Sequence, residues 1–238
     1  MQLYPIENHS WVAIDIHHNL GEQATLLTHK AGLTNKAASN HKSGSMSCRQ
    51  LLKNLQQALN LTGELMEANF PYHFITADGY TWYVSFSHSR QHAAVLISPY
   101  TNIGIDVEDS AISHQVASRF FSPHEYQWLN QKPAVNQAML RNLLWRLKEC
   151  SIKTHQHADK QLIKELKHDV LDEWGEEVIN QLIGTHEINA KDKPIQCVQT
   201  DAKIIGNFSS KPCSFIQSKT IAGLLLIFII IWVNRLRY

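Results

Sequence analysis

The chain has little charge of either sign. Its 238 residues carry 22 Lys and Arg against 21 Asp and Glu, a formal net charge of +1. A balance this even gives no general pull toward polyanions, so nucleic acid is not an expected partner. Cysteine is scarce as well. Cys48, Cys150, Cys197 and Cys213 are far apart and show no zinc-finger spacing. A secreted disulfide scaffold would be denser, which points to a reducing cytoplasm. The opening MQLYPIENHSWVAIDI lacks both a basic start and a long apolar run, so no signal peptide is expected. There is no internal repeat and no low-complexity tract, and the 14 histidines are scattered, with no His-x-x-x-His pair on a convincing helix. What remains is an ordinary globular composition, long enough for one large domain or two small ones with a real core.

The charges are unevenly spread. Between Glu22 and Glu64 there is no acidic residue, while Lys30, Lys36, Lys42, Arg49 and Lys53 fall in that segment with His29 and His41. Such a run reads either as a solvated basic helix face or as a site for a phosphate-rich ligand or an acidic partner protein. Near the other end, TIAGLLLIFIIIWV at 220–233 is continuously apolar. It is shorter than the roughly 20 residues of a membrane-spanning helix. Its richness in Ile favours one or two buried strands over membrane contact.

The elements follow from pattern. WVAIDIH alternates as a strand, and residues 21–62 read as mainly helical, with Leu51, Leu52, Leu55 and Leu59 at helical spacing. Phe70–Ile75 and Trp82–Phe86 read as strands joined at Asp78-Gly79, followed by strands over HAAVLIS (92–98) and NIGIDVE (102–108). After a polar connector at 109–115, Ser122, Pro123 and Glu125 form a capping-box start for a helix. A second helix is expected over about 136–155 and a third over about 158–183, weakened at Gly175, with strands and loops after Lys191. The expected fold class is α+β, in an N-terminal half (1–108) closed by the acidic strand and a C-terminal half (109–238).

Two features carry chemistry. In NIGIDVED, Asp106 and Glu108 leave the strand on the same face, where they repel each other unless a cation sits between them or water covers both. In LLWRLKECSIK, Trp145, Lys148, Glu149, Ile152 and Lys153 are spaced by three and four and share one broad helix face. Glu149 and Lys153 read either as a surface i,i+4 pair or as part of a site. Three carboxylates can hold one Mg²⁺ with room for phosphate oxygens, and adjacent lysines suit an anionic leaving group. VSFSHSRQ adds Ser85, Ser87 and Ser89 around His88, all candidate phosphate donors. Gly104, inside the acidic strand, marks a place where a ligand or backbone comes close.

Taken in order, FSHS (86–89), IGIDVE (103–108), RFFSPHEY (119–126) and LLWRLKECSIK (143–153) resemble the Sfp-type 4′-phosphopantetheinyl transferases, over about Val84 to Lys153. The resemblance implies two similar α+β halves related by a pseudo-twofold axis, with coenzyme A in the cleft between them. It implies transfer of the phosphopantetheine arm of coenzyme A to a serine of an apo acyl or peptidyl carrier protein, with release of 3′,5′-ADP. Asp106, Glu108 and Glu149 would then hold Mg²⁺, Glu149 would take the serine proton, and Lys153 and Lys148 would contact phosphates. His88 would bind the 3′-phosphate, and Lys30, Lys36 and Lys42 the adenosine end. A monomer is expected.

The chain departs from the family where EANFPYHF (67–74) keeps Pro71 but not the preceding Gly-Lys, and where THQHADK follows Lys153. Two other readings stand beside this one: a non-catalytic carrier-protein binder, and a metal-dependent nuclease of RNase H-like architecture using the acidic strand.

Overall fold

A computed structural model describes residues 1–6, 9–16, 36–155, 169–183, 203–208, 211–221 and 224–231. Lys30 lies outside them. Lys36 and Lys42 are described in backbone only.

The first sheet is antiparallel and five-stranded. Its strands are β1 (Gln2–Ile6), β2 (Ser10–Ile16), β3 (His73–Ile75), β4 (Thr81–His88) and β5 (His92–Ser98), in the order β1-β2-β5-β4-β3. The turn before β4 depends on Gly79, whose φ of 86° suits glycine. Between His92 and Ser98 the residues of β5 are all apolar because both its faces are covered. Ala93, Val95 and Ile97 pack with Leu51, Leu52 and Leu55 of helix α1 (Lys36–Ala58). Ala94 and Leu96 pack on the opposite side with Ile103, Ile105 and Val107 of β6 (Asn102–Val107). Residues two apart along a strand share a face, so this alternation sends each set to a different partner.

β6 does not close the first sheet, as the order of elements suggested. It pairs with β9 (Leu224–Ile231) in a second antiparallel sheet, ordered β6-β9-β8-β7, with β7 at Lys203–Phe208 and β8 at Lys211–Ile221. The apolar tail is therefore strand, as its Ile content implied, and it backs the acidic strand directly: Asp106 is paired with Ile227. No helix among the described residues is long and apolar enough to cross a membrane.

Helices cover the second sheet. They are α2 (His114–Phe120), α3 (Pro123–Asn130), α4 (Ala134–His155), α5 (Val170–Trp174) and α6 (Glu176–Ile183). Helix α3 starts with the expected capping box: Ser122 Oγ accepts from the Glu125 amide and the Glu125 carboxylate accepts from the Ser122 amide. Helix α2 was not anticipated, although Ser113 caps it in the usual way. Of the single helix expected over about 158–183, residues 158–168 lie outside the described residues; the rest starts at the Asp169 cap and is broken at Gly175, whose φ of 84° ends α5 before α6 begins. Leu140, Leu143, Leu144 and Leu147 of α4 centre the helical core with Trp128 and Trp174. The molecule is thus a mixed helix and antiparallel-sheet protein, consistent with α+β.

Candidate active site

The site forms where β4, β6 and α4 meet. β6 uses one edge to pair with β9; its other edge faces β4, and there serine side chains take the place of a ladder. Ser85 Oγ accepts from the Ile105 amide at 3.3 Å and Ser87 Oγ from the Val107 amide at 3.1 Å. Ser87 Oγ also donates to Asp106 Oδ1 at 3.0 Å. Both serines are buried. They staple the two sheets and are not free hydroxyls awaiting phosphate, as the motif suggested. Ser89 is likewise engaged, donating to Asp109 Oδ2.

Helix α4 lies close on β6 because Gly104 permits it. A Cβ at position 104 would fall on the Cys150 carbonyl oxygen, inside contact distance, with the carbonyl carbon and Cα at 3.1 Å. The close approach expected at this glycine is therefore to helix backbone. It puts Glu149 and Lys153 beside the carboxylates of β6. Lys153 Nζ donates to the Ile105 carbonyl at 2.8 Å and to Asp106 Oδ1 at 3.0 Å. Burial works against its charge, but Asp106, with Cys150 and Glu149 adding to it, holds the ammonium above its ordinary range. The Glu149 carboxyl is pushed up by burial; Lys153 counters this, and Asp106 and Glu108 repel its anion. Glu108 is half-buried and tied locally, accepting from the Ser110 amide at 2.9 Å. Its carbonyl accepts from Arg146 at 2.8 Å, a support from α4 that the motif spacing did not single out.

The structure thus brings Asp106, Glu108, Glu149 and Lys153 together. The three carboxylates are not gathered to within 4.8 Å of one another; among the described residues that holds for His124, Asp169 and Asp172. In that trio Asp169 is already committed. Its Oδ1 caps α5 through the Leu171 and Asp172 amides, and its Oδ2 accepts from Ser122. Around Asp106 the donor set is hard carboxylate oxygen, and its mutual repulsion is what a divalent cation would relieve. These residues therefore fit Mg²⁺ by chemistry.

Lys148 is not part of this group. Its side chain is 1% exposed and its Nζ lies 2.8 Å from Glu125 Oε2, with Glu125 itself fully buried. The broad face read from the sequence splits in two, because α4 turns one side to the helical core and the other to β6. Trp145 goes with the core, edge-on to Phe120. Glu125 also accepts from the Val170 amide, so the pair joins α3, α4 and α5. A phosphate contact by Lys148 is incompatible with that burial.

Residues 102–198 match the 4′-phosphopantetheinyl transferase superfamily. No curated protein matches the chain. The matched segment contains Asp106, Glu108, Glu149 and Lys153. His88 and α1 lie ahead of it. They meet at Gly44, where a Cβ would stand 2.8 Å from His88 Nδ1, so the basic helix runs across the His88 imidazole. Sequence reasoning passed over Asp109. It accepts from Ser89 Oγ, the Gln91 amide and the His92 ring, and these bonds hold its carboxyl below the ordinary range although burial works against them. The acidic run continuing past Glu108 was the available signal.

Proposed function

We propose that this chain is an Sfp-type 4′-phosphopantetheinyl transferase. It moves the phosphopantetheine arm of coenzyme A to a serine of an apo acyl or peptidyl carrier protein and releases 3′,5′-ADP. The observation that carries the reading is the superfamily match over residues 102–198, a segment in which Asp106 and Glu108 lie near enough to Glu149 to repel its anion. The proposed architecture places coenzyme A in a cleft between two halves related by a pseudo-twofold axis, one on each sheet, so that β6 goes with the second half and not with the first as the 1–108 boundary had it. The proposed setting is a reducing cytoplasm, in which the buried thiols of Cys48 and Cys150 stay free, and the proposed state is a monomer.

Asp106, Glu108 and Glu149 would hold Mg²⁺, which when bound neutralises charge on the pyrophosphate oxygens. The serine oxygen attacks the β-phosphorus, the bond to the 3′,5′-ADP oxygen breaks, and the serine proton passes to Glu149. As a ligand of a cation Glu149 would be a weak base, made useful by its position beside the serine. Lys153 fixes Asp106 and supplies positive charge to the departing phosphate. His88 would meet the 3′-phosphate. Lys42 and Lys36 on α1, with Lys30 ahead of it, would meet the adenosine end. The apolar tail supports the site indirectly, by pairing with β6.

The test is to mix the protein with coenzyme A, Mg²⁺ and apo carrier proteins and weigh the carriers by intact mass. A phosphopantetheine adduct on serine is expected, together with calorimetric binding of coenzyme A. Coenzyme A or carrier binding with no adduct on any carrier would favour the non-catalytic binder. Salt-sensitive cleavage of DNA or RNA without coenzyme A affinity would favour the nuclease.

A further inference from the structure

Asp109 follows the acidic strand, yet its carboxylate serves the other sheet. Ser89 Oγ and the Gln91 amide each donate to Oδ2 at 2.6 Å, and His92 Nδ1 hydrogen-bonds to Oδ1. Ser89 and Gln91 sit in the turn between β4 and β5, and His92 opens β5. That turn also closes on itself, through the Ser89 amide to the His92 carbonyl at 2.8 Å and the His92 amide to Ser89 Oγ at 3.2 Å. The side chains of Asp109 and His92 are only 13% and 12% exposed, so water competes weakly for these bonds. Charge-assisted bonds of this kind are short and directional.

The two ends of the clamp are informative. Residue 88, the last of β4, immediately precedes the clamped turn, and residue 108 immediately precedes the clamping carboxylate. The Ser85 and Ser87 staples fix the strands farther back. Asp109 is what fixes the turn itself against the exit of β6. We infer that Asp109 is a positioning residue for coenzyme A: by clamping the Ser89–His92 turn it sets the His88 imidazole at the right distance from the Glu108 carboxylate. The Ser87 staple stops one residue short of both contacts, and Asp109 carries the hold past them. This inference rests on the proposed function. Asp109 itself touches no reacting atom.

The experiment is calorimetric titration of wild type, Asp109→Ala and Asp109→Asn with coenzyme A and with 3′-dephospho-coenzyme A, joined to steady-state kinetics and a melting curve. Misplacing one binding contact by a fraction of an ångström should weaken coenzyme A binding by about tenfold in Asp109→Ala. KM should rise in step, while kcat at saturation stays within about threefold. The loss should be smaller for the dephospho ligand, which has no phosphate for His88. Asp109→Asn keeps the shape and one acceptor, so it should fold even if the alanine variant does not, and it should lose affinity in the same direction. A lowered melting temperature with unchanged coenzyme A affinity in both variants would make Asp109 merely structural and overturn the inference. Equal losses for the two ligands would also overturn it, since the effect would not pass through His88. Wild-type protein that fails to bind coenzyme A would instead defeat the proposed function, and that result is read before any variant is made.

Discussion

Two lysine–carboxylate pairs leave helix α4 in different directions. Lys148 and Glu125 are shut into the helical core, 1% and 0% exposed, with the carboxylate also bonded to two backbone amides. Lys153 and Asp106 are less enclosed, 19% and 9% exposed, with Lys153 shared between the strand carbonyl and the acid. The chemistry of the two pairs is the same, but their surroundings are not. A pair enclosed on all sides can only hold helices together. A pair at an opening, beside a carboxyl that burial and two other acids make reluctant to ionise, holds charge ready for a ligand. Similar residues at similar spacing on one helix therefore carry different work, and burial decides which.

The largest effect should come from the enclosed pair. Lys148→Ala strands a buried carboxylate and should cost about 3–5 kcal/mol in chemical denaturation. Adding Glu125→Gln should recover most of that loss. A Lys148→Ala protein that folds normally but cannot bind coenzyme A would break the comparison, by showing that this lysine reaches ligand. Gly104→Ala comes next. Its methyl meets helix backbone, which cannot swing aside, so about 2–3 kcal/mol of overpacking is expected, with transfer activity falling as α4 lifts from β6. Asp106→Ala leaves Lys153 without its acid; because that pair is partly open, about 2 kcal/mol is expected, and transfer should be abolished. Asp106→Asn should keep more of the stability and still lose transfer.

The smallest effect has the opposite sign. The folded state raises the Glu149 carboxyl, so it favours the protonated form. The stability this confers is present below the ordinary carboxylate range and is lost as pH rises through the raised value. In chelator at neutral pH, Glu149→Gln should therefore melt slightly higher than wild type, while at acid pH the two should converge. The variant should transfer nothing. A lower melting point at neutral pH would mean that the Glu149 anion is stabilised in the fold, contrary to the crowding of acids described above.

Part of this was legible without coordinates. The capping box at Ser122, Pro123 and Glu125 is a matter of four neighbouring residues, and it formed as read. The strands from His92 to Ser98 and over NIGIDV were equally plain, since alternation and β-branching act locally. Gly104 announced a close approach, though not that Cys150 makes it. Other readings failed where a residue's partner lay far along the chain. Ser85 and Ser87 looked like phosphate donors because nothing nearby required their hydroxyls; the edge of β6, some twenty residues on, did. Lys148 looked exposed because helical spacing cannot say which side of a helix is core. Asp109 looked like part of a polar connector because its three donors lie in another sheet.

By itself the sequence determined the identities and periods of the elements, the same-face placement of Asp106 and Glu108, and the presence of a third carboxylate between two lysines. Those follow from nearest-neighbour sterics and from fixed residues per turn. Only the tertiary structure decided which lysine faces the acids, that the apolar tail backs the acidic strand, and that serines join the sheets. Those outcomes depend on which surfaces exclude water from each other, and that is settled when distant segments pack.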